Sequence, residues 1–306
     1  MRKVLSVATI LMGLLVVWYL AVMPMNIKLA LTQAERAGVE VTPPDVRVRQ
    51  EMSVWVLLAQ NRGVAGDTYA LDRPRLPAPA QVAEDFWKNT VERRVTSKRS
   101  LVYHGQITLV ATINGFVLGA VVGILLAIGI VYSRTMELSI MPWAITSQTI
   151  PIVALAPMII VLVAATGIEG RTVPKAIIAA YLCFFPILVG MVAGLRSPER
   201  SQLDLMHTYS ASRAQVFWKL RLPASLPFLF TSLKVGVAAA LVGTIVGELP
   251  TGAVQGLGAR ILIGDQFGTP VQIWSALFAT AFLAGGLILI LGIVERLVLR
   301  RMGVGR

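Results

Sequence analysis

The residues best able to do chemistry in this chain are few, and their spacing argues against covalent catalysis. A phosphate-cradling loop needs Gly-Lys ahead of Ser or Thr, so that backbone amides and an ammonium meet the phosphates; no lysine here follows a glycine. The two histidines, His104 and His207, lack the i, i+4 partner of a helix-borne zinc pair. No Gly-x-Ser-x-Gly elbow is present. Cys183 has no second cysteine for a disulfide or metal pair and reads as a small buried residue of an apolar run. What remains is polar chemistry in apolar surroundings. Thr146, Ser147, Gln148 and Thr149 form a run that could line a polar path or bond backbone carbonyls of their own helix. Glu248 ends another apolar run, where a carboxylate is costly unless paired or wet. It could line a gate or path, or hold a helix N-terminus, and structural pairing is the preferred reading.

The largest polar feature is an island at residues 197–227 between two apolar runs. Residues 202–209 and 213–220 read as short helices joined by a tight turn. Pro223 and Pro227 then oppose simple continuation into the next run. Asp204 sits early in the first helix, where a carboxylate suits the dipole. Leu205, Tyr209, Val216, Phe217 and Leu220 offer apolar contacts. Two stiff helices on a tight turn make a handle for a partner to grip; an ordinary amphipathic loop between spans is the plainer alternative.

The elements that would position these groups are set by composition. Of 306 residues, 56% are apolar and 14% charged, and the mean hydropathy is +0.72, which places the chain among lipid-facing proteins. Windows of about 20 apolar residues fall at 4–23, 107–132, 138–166, 174–195, 229–246 and 272–298. The first has no small-residue cleavage site and is read as an uncleaved span. The net charge of +12 comes without aromatic interleaving, so nucleic acid is not the expected partner. Basic residues are instead retained on the cytoplasmic side. An inside N-terminus puts Arg2, Lys3, Arg134, Arg196, Arg200, Arg213, Lys219, Arg221, Arg300, Arg301 and Arg306 there, with a cytoplasmic C-terminus. Arg171 near Lys175, and Arg260, then fall in short outside loops, while the long basic segment 26–100 is outside and weighs little. Gly115, Gly119 and Gly123, with Gly190 and Gly194, repeat at the four-residue spacing that lets membrane helices approach closely.

The island resembles the EAA loop through which permease subunits of ATP-binding-cassette importers dock on their ATPases. That pattern is EAA, three residues, Gly, nine residues, Ile, one residue and Leu-Pro. Aligned on Leu222 and Pro223, Leu220 takes the Ile position, Ser210 the Gly, Asp204 the Glu, and Leu205 and Met206 the alanines. The spacing is intact while the triplet and its glycine are altered. If φ is positive at Ser210, serine there costs about 1 kcal/mol. The likeness extends along residues 76–300 to nitrate, sulfonate and taurine-type permeases. It runs through Leu76-Pro-Ala-Pro79, Thr149-Ile-Pro151 to Pro157, Phe184-Phe-Pro186, and Gly247-Glu248 followed by Gly256-Leu-Gly258. Two departures stand out. Val163 to Gly167 replaces the usual Trp-Phe-Gly, and the segment before residue 76 is long. Its piece 52–60 is apolar enough to lie on the membrane, cover the core or touch a binding protein.

The resemblance implies an all-α membrane protein, a six-transmembrane-helix importer permease of the type I, MetI-like kind with a cytoplasmic coupling loop. Its expected divisions are a first span at 1–25, an outer segment at 26–100, a five-helix core at 101–300 and a tail at 301–306. The ATPase-coupling residues implied are Asp204, Leu205, Tyr209, Ser210, Arg213, Phe217, Leu220 and Pro223; Thr146, Gln148, Thr149 and Glu248 are candidates for the solute path. No cofactor is expected on this chain, ATP and Mg being used by partner ATPases. A periplasmic or lipid-anchored solute-binding protein, a second copy of the permease and the inner-membrane bilayer complete the expected partners. The alternative is a secondary transporter driven by an ion gradient, which would carry midplane carboxylates or inverted repeats; neither is evident. A membrane-embedded enzyme would need a polar catalytic cluster, and none can be assembled.

Overall fold

The computed structural model of the protein describes residues 2–168, 170–249 and 255–303; Arg306, and with it residues 304–306 of the expected tail, lies outside them. Among the described residues every regular element is helical. In chain order they are α1 (Arg2–Arg36), α2 (Val46–Glu51), α3 (Val54–Gln60), α4 (Pro79–Trp87), α5 (Leu101–Tyr132), α6 (Arg134–Ser147) and α7 (Ile152–Ala165). There follow α8 (Thr172–Leu195), α9 (Arg200–Thr208), α10 (Arg213–Val216), α11 (Leu222–Glu248), α12 (Leu257–Gln266) and α13 (Pro270–Arg301). They fall into two compact units, within Met1–Val102 plus Arg260–Ala279 and within Tyr103–Ala259 plus Thr280–Arg306.

Among the described residues, five helices are long and apolar enough to cross a membrane unbroken: α1, α5, α8, α13 and a continuous helix from Arg213 to Glu248. The third expected span differs. It is two short helices, α6 and α7, bent by 103°. Pro151 supplies no N–H and drives Ile150 out of helical geometry. The Tyr181 hydroxyl on α8 donates to the Ser147 carbonyl at the break. The bent pair still makes one net crossing. Glu137, in the first turn of α6, meets Arg196 beyond the C-terminal end of α8 at 3.1 Å. From there the chain must reach Thr172 at the opposite end of α8, a helix of 24 residues or about 36 Å. Among the described residues the bundle therefore has up to six crossings.

In the second unit α8 is the central post, packed between α5 and α11. The glycines expected to permit close approach do so. A methyl group at Gly123 would lie 2.7 Å from the Phe184 carbonyl oxygen, and one at Gly194 would lie 2.9 Å from Ser225 Cα. Cys183 is fully buried against this α5 seam, beside Gly119. Lipid gives no hydrophobic drive between helices, so this close backbone packing holds the three together.

In the first unit α1 runs well past its expected end at residue 23, through Pro24. The extension is stabilised by packing: Ile27, Ala30, Leu31 and Ala34 form a helical stripe buried with Val41, Leu57, Val64 and Leu71. Asn26 fastens the returning chain. Its amide donates to the carbonyls of Thr68 and Leu76 at 3.2 and 2.8 Å and accepts from the N–H of Arg75 and Leu76 at 2.8 and 3.1 Å. The long segment after the first span is thus a folded subdomain. Its helix α3 sits on the core through Leu57 and turns Trp55 and Val56 outward. Higher up, the Trp18 indole donates to the Pro77 carbonyl at 3.0 Å, and its ring packs on Trp274 and Phe278 of α13.

Candidate functional site

The polar island folds as two short helices on a stiff turn. At its start the Glu199 N–H is held by the Gln202 side chain at 3.1 Å. At the end of α9, the Ser210 N–H bonds the His207 carbonyl at 2.8 Å and the Ala211 N–H bonds that of Met206 at 3.0 Å. This is the Schellman pattern, which needs a left-handed residue just past the cap. Ser210 is that residue, with φ of +51°, and among the described residues it is the one non-glycine with positive φ. The turn thus keeps the geometry of the resembling loop without its glycine. Next, Ser212 and Gln215 cap α10 reciprocally, at 3.3 and 2.8 Å. Ser210→Gly is expected to stabilise this turn by about 1 kcal/mol. Hydrogen exchange at residues 206–213 should then slow about fivefold; unchanged exchange would count against a strained serine.

Beyond α10 the chain departs from expectation. Pro223 and Pro227 do not end the helix: α10 passes through a π-helical turn, Phe217–Arg221, directly into α11. The wider turn gives the reason. The Leu222 N–H reaches back five residues to the Phe217 carbonyl, so the helix widens just where Pro223 supplies no donor and its ring needs room. One rigid rod therefore runs from Arg213 to Glu248.

The loop is rooted at one end of the bundle. Phe217 packs edge-to-face on Tyr132 of α5 with ring centroids 6.0 Å apart. Arg221 lies over the same ring at 5.9 Å and donates to the Leu195 carbonyl of α8 at 3.0 Å. The eight residues singled out in the loop thus divide in two. Phe217, Leu220 and Pro223 are half-buried at the root, while Asp204, Leu205, Tyr209, Ser210 and Arg213 are exposed. Tyr209 is 76% exposed, and Leu205, one turn before it on α9, is also bare. Trp218, not singled out from the sequence, is a third exposed apolar side chain of the loop. An exposed apolar knob on a capped, immobile support suits a protein partner.

At the far end of the rod lies a buried polar clamp. Glu248 is 0% exposed and Lys175 3%. The Lys175 ammonium meets Glu248 Oε1 at 3.1 Å and also donates to the Gln255 carbonyl at 3.1 Å. Thr108 of α5 donates to the same carboxylate at 3.0 Å, and the Gly258 N–H does so at 2.8 Å. The Leu257 N–H bonds Thr108 Oγ1 and the Gly256 N–H bonds His104 Nδ1, each at 2.9 Å. Thr112 continues the network to Thr244 at 3.0 Å. The first amides of α12 are thereby held by side chains of α5 and α11. Of the readings of Glu248, this geometry fits structural pairing at a helix N-terminus. Lys175, inside the expected fourth span, belongs to the core of α8, and Arg260 lies in α12 rather than in a bare loop. Partial burial lowers the pKa of Arg260, and the charge of Asp85 opposes that.

The polar run near the third span lies at the α6–α7 break. Thr146 and Thr149 are exposed there, but their hydroxyls donate to the carbonyls of Pro142 and Thr146, both at 2.8 Å. Gln148 donates to the Ser147 hydroxyl at 3.3 Å. Sequence reasoning also passed over a charged pair inside the membrane helices, Lys234 of α11 with Glu295 of α13. Its signal was a single lysine in one apolar run and a single glutamate in another.

Comparison with known proteins bears on what this arrangement serves. A family model described as "Binding-protein-dependent transport system inner membrane component" matches residues 119–304. The chain is 36% identical over 226 residues to the riboflavin transport system permease protein RibX of Chloroflexus aurantiacus, covering 74% of this chain and 80% of that protein. It is 32% identical over 209 residues to the formylaminopyrimidine transport permease protein ThiX of Halalkalibacterium halodurans, covering 68% and 74%. Among solved structures, the inward-facing MetNI methionine ABC transporter resembles it with a TM-score of 0.49 at 21% identity, covering 67% of this chain and 96% of that one.

Proposed function

We propose a function from one premise: this chain belongs to the family of binding-protein-dependent transport system inner membrane components. It is a multi-pass permease subunit of an ABC importer for a small solute, and not an enzyme. That membership replaces the alternative of a carrier driven by an ion gradient. The loop from α9 to the π turn is the handle that a separate cytoplasmic ATPase grips, with Leu205 and Tyr209 as the apolar knob and Asp204 and Arg213 as its charged rim. The observation that carries this reading is the unbroken rod from Arg213 to Glu248. A push on the knob passes through the capped Ser210 turn to α10, and no hinge lies between α10 and the span. It moves α11, and through the seam with α8 it moves the bundle.

Two such chains, two ATPases holding ATP and Mg, and a periplasmic or lipid-anchored solute-binding protein make the working assembly. The basic residues Arg134, Arg196, Arg200, Arg213, Lys219 and Arg221 all belong to the end of the bundle that carries the handle, so that end faces the cytoplasm, as do both termini. The solute belongs to the same broad group as nitrate, sulfonates and taurine, or is a nitrogenous compound. The relatives named for riboflavin and formylaminopyrimidine favour a nitrogen heterocycle. Thr146, Gln148 and Thr149, at the broken span, are the polar groups proposed along its path, with Glu248 anchoring the far end of the rod.

The test is gentle detergent purification from native membranes with mass spectrometry of the proteins that stay bound. A co-purifying ATPase is expected with the unaltered chain and should be lost with Leu205→Asp or Tyr209→Asp at unchanged insertion. An ATPase retained equally by both variants would remove the handle from the mechanism.

A further inference from the structure

The C-terminal third of α1, and the chain folded onto it, hold a feature that transport coupling does not use. A cavity of about 350 Å³ is lined by Lys28 and Thr32 of α1, Arg49 and Gln50 of α2, and Arg75 ahead of α4. Three cationic side chains of one small subdomain share that space. Arg49 is the most telling. It is 2% exposed and pairs with the Glu35 carboxylate through Nη2, yet its Nη1 has no hydrogen-bond partner. A guanidinium donor buried without an acceptor is unfavourable, and it marks a place where an acceptor is missing. Lys28 donates to the Gln50 carbonyl at 2.6 Å and keeps two further hydrogens. Glu35 is the one carboxylate among the described residues paired with this set.

The depth of the site narrows the ligand. α1 exposes apolar side chains from Leu5 to Leu20 and again at Met25, about the 20 residues that a hydrocarbon core requires. Lys28 follows Met25 by about 4.5 Å along the helix, so the cavity lies at headgroup depth. Trp55, exposed on α3 of the same subdomain, is a residue type enriched at that level.

We propose that this cavity binds the phosphate group of an anionic phospholipid, with the two guanidinium groups forking its oxygens and Lys28 acting as a point charge. A buried arginine can reach a small anion that enters the cavity, whereas the acidic surface of a soluble partner would engage only the half-buried Lys28 and the exposed Arg75. The site holds the outer subdomain to its membrane surface, independently of how the ATPase couples.

Native mass spectrometry of the full-length protein, after exchange into phosphatidylcholine with phosphatidylglycerol, tests this. The unaltered chain should retain phosphatidylglycerol in preference, and the double variant Lys28→Gln, Arg75→Gln should retain at least tenfold less. That variant leaves the Arg49–Glu35 pair in place; Arg49→Met probes the buried donor, with melting checked alongside. Displacement of the lipid by millimolar inorganic phosphate would identify free phosphate as a second source for the same site. Equal lipid retention by the double variant overturns the proposal. So does unchanged lipid retention together with lost capture of the solute-binding protein, which would make these cations a protein contact.

Discussion

Replacing Lys175 by methionine is expected to destabilise the protein by about 3–5 kcal/mol, the cost of leaving a buried carboxylate without its charge partner. Of the partners that hold the Glu248 carboxylate in the clamp, the Thr108 hydroxyl and the Gly258 N–H would stay. The Gln255 carbonyl would lose its donor as well. The measurement is the melting temperature and monodisperse yield of the detergent-purified variant. A second variant makes the result specific. Lys175→Met with Glu248→Gln buries no charge, and the amide oxygen can still accept from Gly258. The double variant should lie closer to the unaltered protein than Lys175→Met alone. A single variant as stable as the parent would mean that the pair contributes nothing to holding α12.

The second large effect concerns the rod. Trp218 and Lys219 lie in the π turn and are both exposed, so changing them removes little packing. Substituting both by glycine should weaken the helix there by about 2 kcal/mol relative to substituting both by alanine, about a 30-fold rise in the locally open population. The alanine pair controls for the lost side chains, which could themselves touch a partner. ATP-driven uptake in reconstituted vesicles should fall at least tenfold further with the glycine pair, while the ATPase still co-purifies with both. Equal uptake by the two variants would show that a stiff connection is not required.

How far these features were legible in the sequence depended on whether their cause was local. The spans and the glycine seams of α5 and α8 follow from apolar length and four-residue spacing, which neighbouring residues report directly. The Ser210 turn was legible too, because spacing from Leu222 and Pro223 located it before any backbone angle was known. The rod was not. Two prolines at its base signal an ending, and only the wider turn at Phe217–Arg221 lets the helix pass. The third crossing looked continuous because apolar content does not reveal a bend, although Ile150-Pro151 stood at the break. The role of Lys175 was not legible for another reason: its partner lies 73 residues downstream, and nothing adjacent points to it. Asn26 was passed over similarly, since its value lies in carbonyls of a segment that returns about 50 residues later.

The same fastening at Asn26 sets an order of events during synthesis. Everything this folded subdomain buries, from Ile27 to Leu71, and the carbonyl that Asn26 grips at Leu76, is present before α5 has been made. The subdomain can therefore close on its own helix while the rest of the chain is still being translated. Trp274 and Phe278, which pack on Trp18, arrive only after α5, α8 and α11. The nascent protein thus carries a finished subdomain beside an unfinished bundle, and α13 completes the packing that α1 began.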